Sequence, residues 1–299
     1  MGATGYSYRA FGLNIGSEIE CGFAVSDSSC PDVNIRLGSV PEFLPCPTGE
    51  GVLYQCAPGK FLLKIDHVAR YLVSDGYEIL IQPAKNCDFD AVRLFLAGSV
   101  FGALLHQRGL FALHASAVVT PVGAMLFAGL SGSGKSTLAF ALHRKGYSVL
   151  TDEICAIDTR SSPMVLPGYP FLLVWADALE DMGIDDSNLR PARARLGKFI
   201  FPLTHGFARE PVPVHTIYLL DVVNAGLSAP VPVKGMEKFE ALAENAYRPH
   251  ILEQTTPDSE LLPRIVSLAQ AARIVRVNRP RGSFPIADLV ALFEKSFGP

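Results

Sequence analysis

The sequence predicts an α/β fold, in which a sheet with flanking helices follows a small β-rich N-terminal domain. Three observations predict it. A glycine-rich segment lies between an apolar run and a helical pattern, a second strand-like run follows that helix, and apolar and polar residues alternate in the first third of the chain. The predicted divisions are a β-rich domain at 1–87, a connecting helix at 88–109 and the main α/β domain at 110–299.

Composition argues against several classes of protein. Of the 299 residues, 49% are hydrophobic and 18% are charged, which supplies a substantial core and argues against disorder. The net charge of −3 argues against general nucleic-acid binding. The longest apolar run, 94–105, is too short for a membrane helix, so we expect a buried helix and no membrane partner.

The cysteines predict a reducing compartment. They form no C-x-x-C motif and have no zinc-ligand spacing, so we expect reduced thiols. The first residues lack the basic and apolar regions of a signal peptide. These features together predict a cytoplasmic protein. The cysteines are Cys21, Cys30, Cys46, Cys56, Cys87 and Cys155.

The N-terminal part is predicted to consist mainly of strands, because apolar and polar residues alternate there. The turn Ser74-Asp75-Gly76 between two strand-like segments predicts a hairpin. No catalytic constellation is visible in this part, so we expect a packing or recognition role. An apolar helix at 90–108 should follow. The predicted strands are 33–37, 61–65, 69–73 and 77–81.

The segment 129–137 fits the pattern G-x-x-x-x-G-K-[ST], which is the phosphate-binding loop, or P-loop. Its glycines allow a tight turn that brings backbone N–H groups against phosphate oxygens. The run 124–128 predicts a buried strand before it, and 136–145 predicts a helix after it, with Gly146 as C-cap. A bound anion would then lie at a helix N-terminus. The alternative is a glycine-rich turn that binds no ligand. The predicted nucleotide-binding residues are Gly129, Ser131, Gly132, Ser133, Gly134, Lys135, Ser136 and Thr137.

Two side chains of this motif have predicted chemical roles. Lys135 supplies a positive charge that can reach the β- and γ-phosphates and stabilise transferred charge. Ser136 supplies a hydroxyl suited to Mg²⁺. The predicted cofactors are therefore ATP and Mg²⁺.

His114 is predicted to lie close to bound phosphate. The segment 111–119 predicts a strand, and a turn with proline and glycine separates it from the strand before the loop. A two-residue hairpin loop pairs Val119 with Ala124, and the same register sets His114 opposite Gly129. The alternative is a histidine whose hydrogen bonds are satisfied in the core.

Two acids follow the next predicted strand, 147–151. This strand should lie beside the P-loop strand, parallel to it, through a right-handed crossover. Asp152 and Glu153 would then stand at the carboxyl end of the sheet, where ligands bind in open α/β folds. Phosphoryl transfer needs one carboxylate for Mg²⁺ and one to orient or deprotonate the acceptor. If strand geometry continues, the two acids point to opposite sides. The alternative is an acidic helix cap or a solvated turn.

The remainder of the chain continues the α/β pattern. A cluster of basic residues, Arg190, Arg193, Arg195 and Lys198, could contact phosphate or substrate, and the alternative is a solvated basic face. Proline at 285 favours the start of a helix. The predicted strands are 172–175, 215–220 and 273–277, and the predicted helices are 238–247, 260–272 and 286–297.

Three of these segments, 111–116, 129–137 and 146–153, together resemble the catalytic domain of HPr kinase/phosphorylase and its relatives. These are P-loop serine kinases, unrelated in fold to eukaryotic protein kinases. The resemblance implies that His114 matches the histidine before the loop. It also implies that Asp152 is the base facing the acceptor hydroxyl and that Glu153 is the metal ligand, although the family usually has aspartate at the second position.

The chain as a whole is similar to HPr-kinase-related proteins that are encoded beside clusters for ribosomally made peptides. The features that suggest this similarity are the segments 107–115 and 167–170 and Trp175. Some of these relatives phosphorylate the terminal serine of lasso-peptide precursors. The resemblance implies a peptide-tailoring kinase whose partner is a peptide with an acceptor serine. HPr kinases are hexamers, but their interfaces do not carry over from these short motifs, so a homo-oligomer is left open. A nucleotide-binding switch that phosphorylates nothing, and a small-molecule kinase, are the alternatives.

Overall fold

The structure, a computed structural model, contains two compact units. The first consists of Met1–Ala112 and Tyr247–Leu261, and the second of Leu113–Ala246 and Leu262–Pro299. The predicted domain boundaries at residues 87 and 109 differ from this division. The predicted connecting helix belongs to the first unit, and residues 247–261 return to that unit. The structure describes residues 5–28, 30–192, 197–224, 226–281 and 286–296.

The described residues form strands and short helices throughout the chain. The strands are β1 Tyr6–Ala10, β2 Leu13–Ser17, β3 Ala24–Val25, β4 Val33–Leu37, β5 Gly49–Glu50, β6 Tyr54–Ala57, β7 Lys60–Ile65, β8 Ala69–Ser74, β9 Glu78–Pro83, β10 Phe111–Leu113, β11 Ala115–Thr120, β12 Gly123–Ala128, β13 Val149–Thr151, β14 Cys155–Asp158, β15 Met164–Val165, β16 Phe171–Trp175, β17 Arg190–Pro191, β18 Lys198–Pro202, β19 Val212–Val223, β20 Val231–Pro232 and β21 Arg273–Pro280. The helices are α1 Phe89–Phe95, α2 Phe101–Gln107, α3 Lys135–Arg144, α4 Ala176–Asp181, α5 Glu237–Glu244, α6 Pro249–Thr255, α7 Asp258–Ala271 and α8 Ile286–Glu294.

The first unit is built on a mixed sheet in the order β3-β1-β2-β4-β9-β8-β7-β6-β5. The predicted hairpin is confirmed, because β8 and β9 pair with Ser74 opposite Glu78. Between them, Asp75 and Gly76 have φ angles of 52° and 74°. Glycine and aspartate tolerate this left-handed backbone better than most residues, which is why the turn forms here.

The apolar helix belongs to the first unit and is not a connector as predicted. It consists of α1 and α2, which are joined at Leu96–Val100 across a kink where Gly98 has non-helical φ and ψ angles of −96° and −108°. Its side chains pack within that unit: the Phe101 ring lies edge-on to Phe23, with centroids 5.4 Å apart. The Tyr71 hydroxyl donates a hydrogen bond to the Val92 carbonyl over 3.0 Å. These contacts place the boundary after the helix rather than before it.

Length alone does not exclude this helix as a membrane span, contrary to the prediction from 94–105. The helical segment Phe89–Gln107 has 19 residues and a mean hydropathy of 1.4, and by length and composition it could cross a membrane, although it is kinked at Gly98. However, 61% of its most apolar window is buried inside the protein. Burial within the first unit accounts for its apolar character.

The chain returns to the first unit after the second unit has begun, which the sequence did not predict. The His106 Nε2 lies 3.0 Å from the Tyr247 carbonyl oxygen. The His250 ring, in α6, lies 5.5 Å from that of Tyr54. Gly102 allows the Tyr247 ring to approach, because a Cβ at this position would lie 2.8 Å from it.

The second unit is built on a sheet in which β12 lies between β11 and β19. β19 is parallel to β12 on one side and to β21 on the other. β11 and β12 form the predicted hairpin, with Val119 opposite Ala124. The predicted strand 111–119 is broken at His114, which lies between β10 and β11.

The prediction that β13 pairs directly with the P-loop strand is wrong. β13 pairs with β11, and β11 lies between β13 and β12. The short turn between β11 and β12 holds β11 along this edge of β12, while β19 takes the other edge. The carboxyl end of β13 therefore lies one strand further from β12 than expected.

Helices α3 and α8 pack against this sheet. Phe293 contacts Phe127 and Tyr218 of the sheet, with ring centroids 5.2 and 4.4 Å apart. The predicted C-cap is confirmed: Gly146 has a φ of 96°, and the N–H of Tyr147 donates to the Leu142 carbonyl over 3.1 Å. This is a Schellman ending. The expected start of the last helix at proline 285 lies outside the described residues.

Candidate functional site

The loop between β12 and α3 takes a conformation that glycine makes possible. Gly129, Gly132 and Gly134 have φ angles of 143°, 81° and 95°. At Gly129 a side chain is also excluded by space, because a Cβ there would lie 2.5 Å from the Leu220 carbonyl oxygen. The loop therefore turns tightly at the carboxyl end of β12 and leads directly into the first turn of α3.

Lys135 begins α3 and is 6% exposed. Its Nζ donates hydrogen bonds to the carbonyls of Gly129 and Leu130, over 2.9 and 3.0 Å. Burial lowers the pKa of this ammonium group, and the negative charges of Glu153 and Asp152 oppose that shift. The lysine thus spans the loop from the helix to the strand end.

Asp152 is almost fully buried, at 5% exposure, and is held by three donors. The hydroxyls of Ser116 and Ser136 both donate to its Oδ1, over 2.6 and 2.9 Å. The backbone N–H of Leu173 donates to its Oδ2 over 2.9 Å. Burial and the neighbouring charge of Glu153 raise the pKa of Asp152. The structure therefore brings Asp152 to the serine of the P-loop motif.

Glu153 turns away from its neighbour. β13 ends at Thr151, and Glu153 has a φ of 64°, so the strand geometry assumed for the acid pair does not continue. Its Oε1 lies 3.2 Å from Lys198 Nζ and its Oε2 lies 3.1 Å from His114 Nε2. Burial alone would raise the pKa of Glu153, but the hydrogen bond with His114 and the charge of Lys198 outweigh it and hold the pKa at about 2.

These side chains surround a cavity of about 920 Å³ at the start of α3. His114, Glu153 and Lys198 line one part of it, together with the half-exposed Trp175. Side chains of α4 and α8, both polar and apolar, line the rest. Of the predicted loop residues, the cavity is lined by Ser131, Gly132, Gly134, Lys135, Ser136 and Thr137. A cavity of this size is in the range that small-molecule ligands occupy.

Some predicted residues lie elsewhere. Gly129 and Ser133 belong to the loop but are not among the residues that line the cavity. Arg190 lies in β17, is exposed and does not line the cavity either. Arg193 and Arg195 lie outside the described residues. Of the predicted basic cluster, the structure brings Lys198 to the site.

Sequence reasoning missed Arg279 and Ser116. Arg279, in β21, donates from Nε to the Ser133 carbonyl and from Nη2 to the Gly132 carbonyl, both over 2.7 Å. The available signal was its position near the carboxyl end of β21, which runs parallel to β12. Ligands bind at that edge of an open α/β sheet. Ser116 follows His114 by two residues, and no motif distinguishes it.

The residues fit a divalent cation held jointly with a nucleotide. No cluster of three or more histidine, cysteine or acidic side chains occurs within the described ranges. Mg²⁺ is commonly held by one or two protein oxygens together with substrate phosphates, however. The Ser136 hydroxyl and the Asp152 carboxylate, 2.9 Å apart, supply two such oxygens beside the loop.

No family model and no curated protein matches this chain. Among solved structures it is similar to the Hpr(Ser) kinase/phosphatase from Coxiella burnetii, with 12% sequence identity and a TM-score of 0.36. The match covers 62% of this chain and 89% of that one. The function therefore has to be inferred from the geometry of the site.

Proposed function

We propose that the second unit is an ATP- and Mg²⁺-dependent kinase that transfers the γ-phosphoryl group to the serine hydroxyl of a peptide. One observation carries the proposal. A glycine-rich loop that opens a helix, a serine–aspartate pair and a glutamate held by two basic groups meet around one cavity. Phosphoryl transfer requires these parts: a phosphate cradle, a metal site and a group that orients the acceptor.

The nucleotide phosphates would bind at the start of α3. Backbone N–H groups at a helix N-terminus and the helix dipole both favour an anion there. Lys135 Nζ lies over the loop and would supply positive charge to the phosphates. Lys135 is also buried, and electrostatic interactions are stronger in such surroundings than in water.

Mg²⁺ would be held by Ser136 and Asp152. This assignment differs from the expectation that Ser136 and Glu153 hold the metal. The reason is that the Ser136 hydroxyl donates to Asp152 beside the loop, whereas Glu153 contacts the basic groups Lys198 and His114. When bound, the ion neutralises negative charge on the phosphate chain.

Glu153 would then face the acceptor. It lines the cavity, and its low pKa keeps it ionised at neutral pH. A strongly basic group is not required, because the transition state of phosphoryl transfer is loose and positioning of the hydroxyl contributes most. Lys198 and His114, on the same carboxylate, would stabilise charge on the transferred group.

The peptide acceptor is proposed from the resemblance of the segments 107–115 and 167–170 to kinases of lasso-peptide precursors. Trp175 lines the cavity and is 37% exposed, which suits contact with a substrate side chain. Reduced thiols are consistent with a cytoplasmic location, where such precursors are made.

The test is mass spectrometry after incubation of the protein with Mg²⁺-ATP and a panel of peptides with terminal serines. We expect a mass increase of one phosphate on serine, and much less of this product with Asp152→Asn at limiting Mg²⁺, because that variant lacks a proposed metal ligand. Asp158→Asn is the matched control, because Asp158 pairs with the exposed Arg160 and does not line the cavity. Absence of any phosphopeptide, with ATP bound, would reject peptide phosphorylation.

One observation favours a second function. Both oxygens of Glu153 are held by basic groups, which suits a site that binds nucleotide without activating an acceptor. A nucleotide-binding switch would bind ATP and hydrolyse it slowly, and would form no phosphorylated product. A small-molecule kinase would label no peptide but would consume ATP when the right metabolite is added.

A further inference from the structure

Arg279, in strand β21, donates hydrogen bonds to the glycine-rich loop. Its Nε donates to the Ser133 carbonyl and its Nη2 to the Gly132 carbonyl, both over 2.7 Å. Its Nη1 donates to the Pro280 carbonyl over 3.1 Å. Gly134 lies directly beneath, since a Cβ there would lie 3.5 Å from Nε. The guanidinium therefore contacts two successive peptide groups of the loop at once.

These contacts determine where the loop N–H groups point. In a trans peptide the C=O and the following N–H point in opposite directions. The Gly132 carbonyl faces Arg279, and the N–H of Ser133 on the other side of that peptide donates to Leu130 over 3.1 Å. The Ser133 carbonyl also faces Arg279, so the N–H of Gly134 is directed away from the guanidinium. Arg279 thereby fixes the orientation of a donor at the start of α3.

The arginine also adds charge to the cavity. Arg279 is among the residues that line it, beside the loop and Lys135. Burial lowers the pKa of Arg279, yet an arginine side chain stays protonated in proteins. A guanidinium has five N–H donors, and its hydrogen bonds to the described residues use three.

We propose that Arg279 is a positioning residue for the phosphate chain of the nucleotide. It holds the loop in its anion-binding conformation through the carbonyls of Gly132 and Ser133, and it adds positive charge beside that chain. This inference rests on the proposed function, because it presumes that the loop binds a polyphosphate. It assigns a role to a residue outside the P-loop motif, 144 residues after Lys135 in the chain.

The test is calorimetric binding of Mg²⁺-ATP and of inorganic tripolyphosphate to the full chain and its variants. Arg279→Ala should weaken both ligands by tenfold or more, because the effect acts on the phosphate cradle and not on the nucleoside. Arg276→Ala is the matched control: it lies on the same strand, pairs with Asp221 and Glu237, and does not line the cavity. It should bind both ligands within twofold of the unchanged protein.

Two further measurements separate positioning from general folding. Arg279→Lys keeps the charge but cannot hold both carbonyls with a planar fork, so it should bind nearly as weakly as Arg279→Ala. Free guanidinium at millimolar concentration should restore part of the affinity of Arg279→Ala and change nothing in Arg276→Ala. Circular dichroism would establish that each variant is folded.

The outcomes are distinguishable. If the unchanged protein binds neither ATP nor tripolyphosphate, the proposed function fails. If it binds both and Arg279→Ala binds them as tightly, the role of Arg279 is overturned while the proposed function stands. If Arg279→Lys binds as tightly as the unchanged protein, positioning through the two carbonyls is overturned.

Discussion

The hydroxyl of Ser136 lies 2.9 Å from Oδ1 of Asp152, so the first turn of α3 and the end of β13 are joined at the centre of the site. A second hydroxyl, that of Ser116, donates to the same oxygen over 2.6 Å. The Asp152 carboxylate is therefore oriented from two strands and one helix. Of the two adjacent acids, Glu153, whose backbone is left-handed, is the one that lines the cavity.

Exchange of each acid for its amide should separate their roles. Glu153→Gln should lower the rate of phosphoryl transfer by about 10²-fold or more, because it removes the group that orients the acceptor, and should leave ATP affinity within about threefold. Asp152→Asn should raise the Mg²⁺ concentration needed for ATP binding, because it removes a metal ligand. Single-turnover kinetics and Mg²⁺ titrations measure both effects. If Asp152→Asn slows transfer with unchanged Mg²⁺ dependence, Asp152 is the acceptor-side acid.

Ser116→Ala should destabilise the protein. Ser116 is fully buried and its hydroxyl donates to a carboxylate, so its loss should lower the free energy of unfolding by about 1.5–3 kcal/mol. Urea denaturation measures the change. Ser187→Ala, which removes an exposed hydroxyl bonded to Asp185, should change the stability by less than about 0.5 kcal/mol. Equal effects of the two variants would contradict the role given to Ser116.

Two glycines of the loop should differ in their tolerance of alanine. At Gly129 an added Cβ would lie 2.5 Å from the Leu220 carbonyl, so Gly129→Ala should distort the loop and lower stability by about 2 kcal/mol or more. At Gly132 nothing lies within 4 Å of such an atom, so only the positive φ opposes it, at about 1 kcal/mol. Thermal unfolding of both variants tests this ranking, and the reverse order would refute it.

The sequence predicts local structure in this chain better than it predicts which elements meet. The strand–loop–helix unit around Lys135 and the hairpin that sets His114 in place follow from motif and turn chemistry, and both are confirmed. Apolar periodicity identifies β13 as a strand but does not say that β11 lies beside it. The left-handed backbone of Glu153 has no signature in a sequence, because glutamate rarely adopts it. Arg279 is brought to the loop by the pairing of β21 with β19, which is a long-range event.

His143 should make stability depend on pH. Burial, with the neighbouring charge of His205, lowers the pKa of His143 below its usual 6.5. Below about pH 6.5 the unfolded chain therefore binds more protons than the folded one, and the free energy of unfolding should fall as the pH decreases from 7 to 5.5. In His143→Gln this decline should be shallower, by about 1 kcal/mol or less over that range. Denaturant unfolding at several pH values checks it, and an identical slope in the variant would contradict the assignment.

The thiols should react with alkylating reagents in a fixed order. All six cysteines are free, as predicted, but only some are accessible. Cys30 and Cys46 are exposed and should react within minutes at pH 8. Burial raises the pKa of Cys21 and of Cys56 to about 11, and raises that of Cys155 further, so these three should stay unmodified in the folded protein. Peptide mapping after iodoacetamide treatment, with a urea-denatured sample as control, gives the order. Early modification of Cys155 would show that its surroundings open readily.

The return of the chain to the first unit affects how the protein can be synthesised. Tyr54 packs against His250, and α2 ends beside Tyr247, so the first unit lacks part of its structure until these residues leave the ribosome. At usual rates of translation, Tyr54 is made on the order of ten to forty seconds before His250. A fragment that stops at Ala112 lacks the helical segment 247–261, which packs against its sheet and its helix α2. The two units therefore cannot be completed one after the other during synthesis. The first unit is complete only after residues 113–246 of the second unit have been synthesised.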